Sequence, residues 1–540
     1  MGIPEKPNLS QHEEKGNPSK IPHLVVDLAT KSVLKLHPNA SLSKLSFEEN
    51  QFFCDFDIPE ETLSSKELEE LSSVMEKNAV LNGLSQITSS NFALLEVSGV
   101  HSEENPEKMI QRLHGAFFNN KKEKQDYLDF LKQAKERNHI TLGKELDLFV
   151  LAEHAPGMPY WLTKGLKIKH TLLEFWREEH EARGYQEVQT PLLNKTTLFE
   201  QSGHMDHYRE NMFISNTSQG EWAAKPMNCP NAMYIFQLKE RSYKDLPLRF
   251  SDSDTLHRLE KSGVLNGLLR VQEFSQDDAH IFLGQEQIEP EINDILQIVD
   301  RFYSVFGLDY SFRLSTRGSD YMGDVKTWNL AESILNNLLE NQKKTFSIDS
   351  GGAAFYGPKI DIMMKDSLKR EWQMGTIQLD FQLPGRFNLS YMDENGAGKT
   401  PIVIHRVVYG SLERFIGIIT EHFAGAFPTW LAPIQVSILP ITENDRDYAS
   451  QIYSQLKKDG RRVDLLDDTS ERLNRRVLKS TKMKVPYTIV VGGREKENNS
   501  VSVRPLLGEK ANSVVMPFNN FKERLGKEIE QKSLKIQIVD

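Results

Sequence analysis

PLRFSDSDTLHRLEKSGVLNGLLRVQEFSQDDAHIFLG, residues 247–284, reads as two strand-like runs flanking a polar loop, and the first run ends in Arg258 and Glu260. An arginine aimed into a cleft clamps a phosphate bidentately, and a neighbouring carboxylate accepts from an amino group, so this pair suits a nucleotide. Two residues apart on one strand face, the pair equally suits a surface ion pair, which is the commoner use of such residues.

Outward from this stretch, further strands are expected at 359–364, 374–381 and 401–408, mostly joined by hairpin-length loops, which implies an antiparallel sheet. PIVIHRVVYGSLERFIGIITEHF (401–423) runs from a β-branched strand through Gly410 into an amphipathic helix with Leu412, Phe415, Ile416 and Ile419 on one face. Ser411 is the expected N-cap. Arg414 then falls in the first turn, where a cation opposes the helix dipole at roughly 0.3 to 1 kcal/mol, a cost that a bound phosphate would offset. Reaching into solvent would relieve it just as well.

Upstream, residues 160–185 carry an amphipathic helix with Leu166, Ile168, Leu172, Leu173 and Phe175 on or near one face, followed by the strand-like YQEVQTPLL. Beyond FAGAFPTWLAP the pattern becomes a βαβαβ series, so a separate α/β domain is expected over 433–540, after a main domain over 141–432. At the other end, the polar residues 1–21 read as a disordered lead-in. Residues 22–110 read as a small α+β module, with HLVVDLA and FALLEVSGV as strands and SSKELEELSSVMEKNAV as a helix. Residues 111–140, entered through EKMIQRLHGAFF, read as a helical connector. The fold class is therefore α+β and multidomain.

Bulk properties exclude several classes. At 540 residues the chain outgrows one hydrophobic core, and 39% hydrophobic with 26% charged residues is ordinary for globular proteins. No apolar run is long enough to cross a bilayer, and the N-terminus resembles neither a signal nor a transit peptide, so no membrane partner is expected. Cys54 and Cys229, the only cysteines, make no disulfide framework, which fits a cytoplasmic location. A net charge of −10 opposes general nucleic-acid coating, yet Lys457 to Lys484 is locally basic. Taken alone, such a run reads as a solvated helix surface.

Cys229, His280 and His405 supply one thiolate and two imidazoles, a set that holds zinc with a fourth position open for a substrate. Their spacing is uninformative, because metal ligands usually come in close pairs and isolated ones are usually buried, hydrogen-bonded residues. His204 and His207 form an equally weak HxxH.

Taken together, KPMNCP (225–230), LHRLE (256–260), FSQDDAHIF (274–282), AFYGPKIDI (354–362), GTIQLDF (375–381) and IHRVVYGSLERFIG (404–417) resemble, in order and spacing, the catalytic core of the threonyl-tRNA synthetases. The resemblance covers roughly residues 135–510. It implies a class II antiparallel-sheet catalytic domain followed by an α/β anticodon-binding domain, in a threonine–tRNA ligase acting on threonine, ATP and tRNA(Thr). The helix and strand ending at Pro191 would be the motif that forms the homodimer interface. Cys229, His280 and His405 would bind Zn²⁺, which holds threonine by its amino and hydroxyl groups and so rejects valine. Met227, Gln276, Asp278, Tyr356, Gln378 and Ser411 would line the amino-acid pocket. Arg258 would hold the α-phosphate, with Glu260 near adenine, Arg270 and Arg414 on the other phosphates, and Phe274 stacked on the base. Mg²⁺ would assist pyrophosphate departure, Lys359 would stand beside the reacting centre, and His204 would lie near the terminal ribose of tRNA. In the last domain, VPYTIVVGGRE and VSVRP match the anticodon module, with Glu495 and Arg504 at base-contacting positions. In that setting the basic run becomes a tRNA-facing surface.

The chain also departs from the family. Asn231 and Ala232 follow Pro230 where the family continues with Gly-His, HRLE replaces HRNE, and Val271 to Phe274 replaces RVRGF. Residues 50–80 look like a late segment of the family's editing domain, but no two histidines lie four apart as its HxxxH requires. Residues 22–110 are then a shortened remnant, and no hydrolysis of Ser-tRNA is expected. The alternatives are a paralogue that charges another acceptor, a regulatory RNA-binding protein, and a generic zinc hydrolase. Arg258, Arg414 and the complete Cys/His set argue against a dead enzyme, and two phosphate-facing arginines have no use in a hydrolase.

Overall fold

The computed structural model describes residues 21–48, 50–58, 63–81, 84, 87–101, 108–261, 263–367, 369–506 and 513–535. The expected lead-in falls outside them, apart from Ile21. Residues up to Lys135 and residues from Glu136 onward form two compact units.

In the first unit a four-stranded antiparallel sheet runs in the order Ser41–Glu48, Gln51–Asp57, Met109–Phe117, Phe92–His101, and helices Ile21–Leu36 and Leu68–Leu81 supply its core. Two expectations fail here. HLVVDLA lies in a helix, because Val25, Val26, Ala29 and Val33 recur with helical period and are all buried. Within EKMIQRLHGAFF, Met109–Phe117 is a central strand and not the entry to a helical connector. Leu113 packs with Phe52, Cys54 and Phe56 on the helix side. His114 stacks on Phe53, with ring centroids 4.6 Å apart. Gly115 permits the strand to come this close, since a Cβ there would lie 2.2 Å from the Phe52 ring. The helix expected after it begins only at Lys121 and runs to Glu136.

The second unit is built on an eight-stranded sheet. Its order is Phe346–Ser350, Asp309–Thr316, Lys359–Lys365, Glu371–Asp380, Ile402–Val407, Asp278–Leu283, Leu248–Asp252, Gln186–Glu187. All neighbours are antiparallel except the outermost pair at each end. One of those parallel pairs follows from a crossover through helix Val325–Asn341. YQEVQTPLL contributes only Gln186 and Glu187 to this sheet, at its edge; Pro191 has no N–H to offer a ladder, and Leu193 pairs instead in a small separate sheet. One face of the sheet packs on the main core, where Ile281, Ile404, Ile377 and Ile360 meet helices Thr163–Glu181, Ile288–Ser304 and Leu412–His422. On the first of these helices Ile168, Leu172, Leu173 and Phe175 are buried as expected, while Leu166 is 38% exposed.

From Val436 a five-stranded sheet runs Val463–Leu465, Val436–Pro440, Tyr487–Val491, Ser500–Pro505, Val514–Pro517, with the first three strands parallel and the rest antiparallel. Arg462 ties this sheet to the preceding segment by donating to the carbonyls of Ala432 and Trp430 at 2.8 and 2.6 Å. Among the described residues no helix is long and apolar enough to cross a membrane.

Candidate active site

Strand residues alternate between the two faces of a sheet, so the residues beside Ile281, Ile404, Ile377 and Ile360 point away from the main core. Register then aligns them. Lys359 pairs with Gln378, Gln378 with His405, His405 with His280, and His280 with Phe250. Four of the residues expected in the site thus form one row across four adjacent strands. At the usual strand spacing that row spans roughly 14 Å, enough to hold an amino acid at one end and a phosphate chain toward the other.

At the His280 end stands the thiol of Cys229, the first residue of helix Cys229–Gln237. The ligand atoms of Cys229, His280 and His405 lie within 4.8 Å of one another, and all three residues are buried. The two imidazoles meet edge to face, with centroids 4.9 Å apart. Burial, together with Asp278 and Asp380, raises the Cys229 thiol, and burial followed by His405, Arg406 and Lys225 holds His280 neutral. Nδ1 of His280 is buried without a partner. One soft thiolate donor, two neutral imidazoles and an orphaned ring nitrogen fit a zinc ion, whose charge would favour the thiolate. His405 Nε2 lies 2.9 Å from Asp380 Oδ2, an arrangement that orients the ring and leaves Nδ1 for a ligand.

Around this cluster Tyr356 donates to Gln378, and its ring centroid lies 5.3 Å from that of His405. Asn228 donates to Asp278 at 3.1 Å, and burial raises the Asp278 carboxyl to about 6. Gln276 bridges to Ser411 through the backbone. His204 is buried, with Nδ1 2.8 Å from Ser202 Oγ and Nε2 3.1 Å from Met227 Sδ and 3.8 Å from Cys229 Sγ. Burial, then His405, lowers it to about 4, so it is a neutral base. His207 turns away to stack on Phe355.

The cationic end differs from a surface ion-pair arrangement. Glu260 pairs with Arg270 at 2.9 Å and not with Arg258. Arg258 lies over the Phe274 ring at 5.1 Å and donates to the Pro226 carbonyl at 3.2 Å. Phe274 itself is buried with Leu256 and Val271. Arg414 does not reach freely into solvent: Nε donates to the Leu269 carbonyl at 2.9 Å and an Nη to the Gln373 carbonyl at 3.4 Å. Burial, Arg270 and Arg258 lower its guanidinium, with Glu260 opposing. Three guanidiniums that disfavour one another make a site for a polyanion. Ser411 Oγ accepts from the Arg414 amide at 3.2 Å, so it is the N-cap that was expected. Lys359 pairs with the buried Asp361 at 2.9 Å.

Sequence reasoning passed over the supporting groups. Asp277 accepts from the amides of Val408, Tyr409 and Gly410 at 2.9, 3.1 and 3.0 Å and thereby fixes the turn that presents Arg414. Glu413 accepts from the Ser275 amide and from Lys169, both at 2.8 Å. Both acids lie in quoted segments, but only the register brings out their partners. In the last domain Glu495 caps its own helix by accepting from Gly492 N at 3.0 Å, and Arg504 is exposed on its strand. The basic run divides: Arg476 is buried and donates to the carbonyls of Pro440 and Leu466, whereas Arg472, Arg475, Lys479 and Lys482 are exposed.

A largely antiparallel sheet with one arginine from a strand–loop–strand element and another from a strand–turn–helix element defines the core of a class II aminoacyl-tRNA synthetase. The class II core domain of the G, H, P, S and T synthetases matches residues 212–423, and an anticodon binding domain matches residues 435–528. The threonine–tRNA ligase of Caldanaerobacter subterraneus subsp. tengcongensis is 46% identical over 442 residues, covering 82% of this chain and 68% of the relative. That of Syntrophomonas wolfei is 47% identical over 437 residues, covering 80% and 67%. The crystal structure of the RNA binding domain of threonyl-tRNA synthetase from Cryptosporidium parvum superposes with a TM-score of 0.69 at 37% identity, covering 73% of this chain and 98% of that one. The chain belongs to the threonine–tRNA ligase family.

Proposed function

We propose that this protein activates threonine with ATP to threonyl-adenylate and transfers the threonyl group to the 3′ end of tRNA(Thr). The observation that carries the reading is the row Lys359, Gln378, His405, His280, with the Cys/His cluster at one end and the arginine cluster beside it. In this reading Cys229, His280 and His405 hold a zinc ion. When bound, it supplies a Lewis-acidic centre that takes the amino and hydroxyl groups of threonine, so that valine, lacking the hydroxyl, leaves the site unsatisfied.

The remaining chemistry belongs to the chain. Asp278, fixed by Asn228, faces the substrate amino group, and Tyr356 and Gln378 close the pocket as one hydrogen-bonded unit. Arg258, Arg270 and Arg414 hold the phosphates of ATP, with Mg²⁺ as the accompanying ion, while Glu260 orients Arg270 and faces adenine. Attack of the threonine carboxylate on the α-phosphorus then proceeds by positioning and charge neutralisation, with the leaving pyrophosphate stabilised by the guanidiniums. Lys359 stands at the end of the row away from the Cys/His cluster, held by Asp361. His204, neutral and beside Met227, is the candidate for the proton transfer in the second step. Exposed Leu166 on helix Thr163–Glu181, with exposed Tyr160 just before that helix and Leu193 just beyond Pro191, supports a homodimer built on this helix and the strand that follows it. Glu495 and Arg504 serve the anticodon bases, the exposed basic side chains face the tRNA phosphates, and the reaction belongs in the cytoplasm. Threonine-dependent ATP–pyrophosphate exchange tests the reading, and a purified, zinc-loaded protein without exchange refutes it.

A further inference from the structure

We propose that His139 is a positioning residue for the nucleotide loop, holding the main chain of Leu268 so that Arg270 and Arg414 meet the phosphates of ATP. The inference rests on the nucleotide reading of those arginines. His139 opens the short helix His139–Glu145, at the end of the stretch read as a connector and far in sequence from every segment that supplies the site, and is 1% exposed. Nδ1 lies 2.7 Å from Glu421 Oε1, and the His139 amide donates to the same oxygen at 3.1 Å. Nε2 accepts from the Leu268 amide at 3.0 Å. An ionised carboxylate only accepts and a backbone amide only donates, so the partners fix one neutral tautomer with the proton on Nδ1.

Both ends of this link are anchored in the site. Glu421 lies on the helix that carries Arg414, and its other oxygen takes the guanidinium of Arg370, which also pairs with Asp366. On the loop side three consecutive residues are engaged. The Leu268 amide meets His139, the Leu269 carbonyl accepts from Arg414 Nε at 2.9 Å, and Arg270 pairs with Glu260. The approach is close enough to dictate the neighbouring residues. Gly267 has φ +53°, and a Cβ there would lie 2.1 Å from His139 Nε2. Gly417 lets the helix come down on the loop, since its Cβ would lie 3.2 Å from Leu268 Cβ and 3.5 Å from His139 Cδ2. A histidine needed only to fill space would have no call for hydrogen bonds on both ring nitrogens.

The test compares the unaltered protein with His139→Asn, which can still donate toward Glu421 but falls short of Leu268, and His139→Gln, whose longer amide can accept from Leu268. In threonine-dependent pyrophosphate exchange, His139→Asn is expected to raise KM for ATP by about three- to tenfold, the range that loss of one hydrogen bond gives. KM for threonine and bound zinc should stay unchanged, and His139→Gln should recover most of the loss. An unchanged KM for ATP in His139→Asn overturns the inference, as does a His139→Gln variant no better than His139→Asn. If His139→Asn fails to fold, the same comparison is made between His139→Gln and Gly267→Ala, of which only the second should raise KM for ATP. Absence of exchange in the unaltered protein would instead overturn the nucleotide reading itself.

Discussion

Asp380 receives Nε2 of His405 on one carboxylate oxygen at 2.9 Å and the amides of Gln382 and Leu383 on the other at 2.7 and 3.0 Å. The acid is therefore fixed before it fixes the histidine. Orienting partners of this kind typically carry ten- to a hundredfold in metal affinity, so Asp380→Asn should weaken zinc binding by about that factor. Competition against a chromophoric chelator measures it. Undiminished affinity would show that the ring is oriented by packing alone.

Arg414 faces two other guanidiniums and donates to two main-chain carbonyls, which places its charge without neutralising it. Arg414→Ala should lower the rate of pyrophosphate exchange by roughly 10²–10³, the usual loss for a group that stabilises developing charge. Zinc content should not change. A fall in zinc together with the rate would mean that the helix, and not the charge, had been disturbed.

Gly410 turns the 402–407 strand into the 412–422 helix with φ +73°, and a Cβ there would meet the Met374 carbonyl oxygen at 2.3 Å. Gly410→Ala should destabilise the protein by roughly 1–3 kcal/mol and displace Arg414 as the turn adjusts. Urea unfolding read beside exchange activity tests both, and an alanine variant of unaltered midpoint would contradict the geometry.

The basic helix Leu473–Lys482 offers a contrast within one segment. Arg475 and Lys479 have side chains 75% and 56% exposed, whereas Arg476 is buried against the carbonyls of Pro440 and Leu466. Alanine at 475 and 479 should weaken tRNA binding and flatten its salt dependence, by about one unit of slope for each phosphate that is no longer neutralised. Arg476→Ala should leave the slope alone and cost roughly 1–3 kcal/mol of stability through two unsatisfied carbonyls. The reverse pattern would place the tRNA elsewhere.

A zinc ion held as proposed would sort threonine from valine by a hydroxyl that serine also has, so the site should pass serine more readily than valine. With no HxxxH pair in the chain, Ser-tRNA added to the purified protein should decay no faster than in buffer. Rapid deacylation would assign the first unit an activity that its histidine spacing does not suggest.

Much of the site was legible in the sequence through the resemblance of the segments that carry it, not through spacing. Taken singly, His280 in DDAHIF, His405 in IVIHRV and Gln378 in TIQLDF have no more standing than any buried, hydrogen-bonded residue, and it is the strand register that places them side by side. Asp277 and Asp380 lie in the same segments yet were passed over, because their partners are main-chain amides that only the folded register supplies. His139 was invisible for a similar reason: its carboxylate and its amide lie more than a hundred residues away. In the first unit, HLVVDLA is too short by itself to show the helical period, which emerges only when Val33 is counted with Val25, Val26 and Ala29, while EKMIQRLHGAFF mixes polar and apolar residues in a way that suits either element until it is packed between two strands. Charge counting likewise put Arg476 on the surface, although its place is beneath it.

Aminoacylation of total tRNA with threonine, serine and valine in parallel tests the central claim most directly. The account predicts stable charging of one acceptor family with threonine, weaker but detectable charging with serine, none with valine, and loss of threonine charging in Cys229→Ala. Charging with valine as readily as with threonine, or no charging with threonine at all, would contradict it.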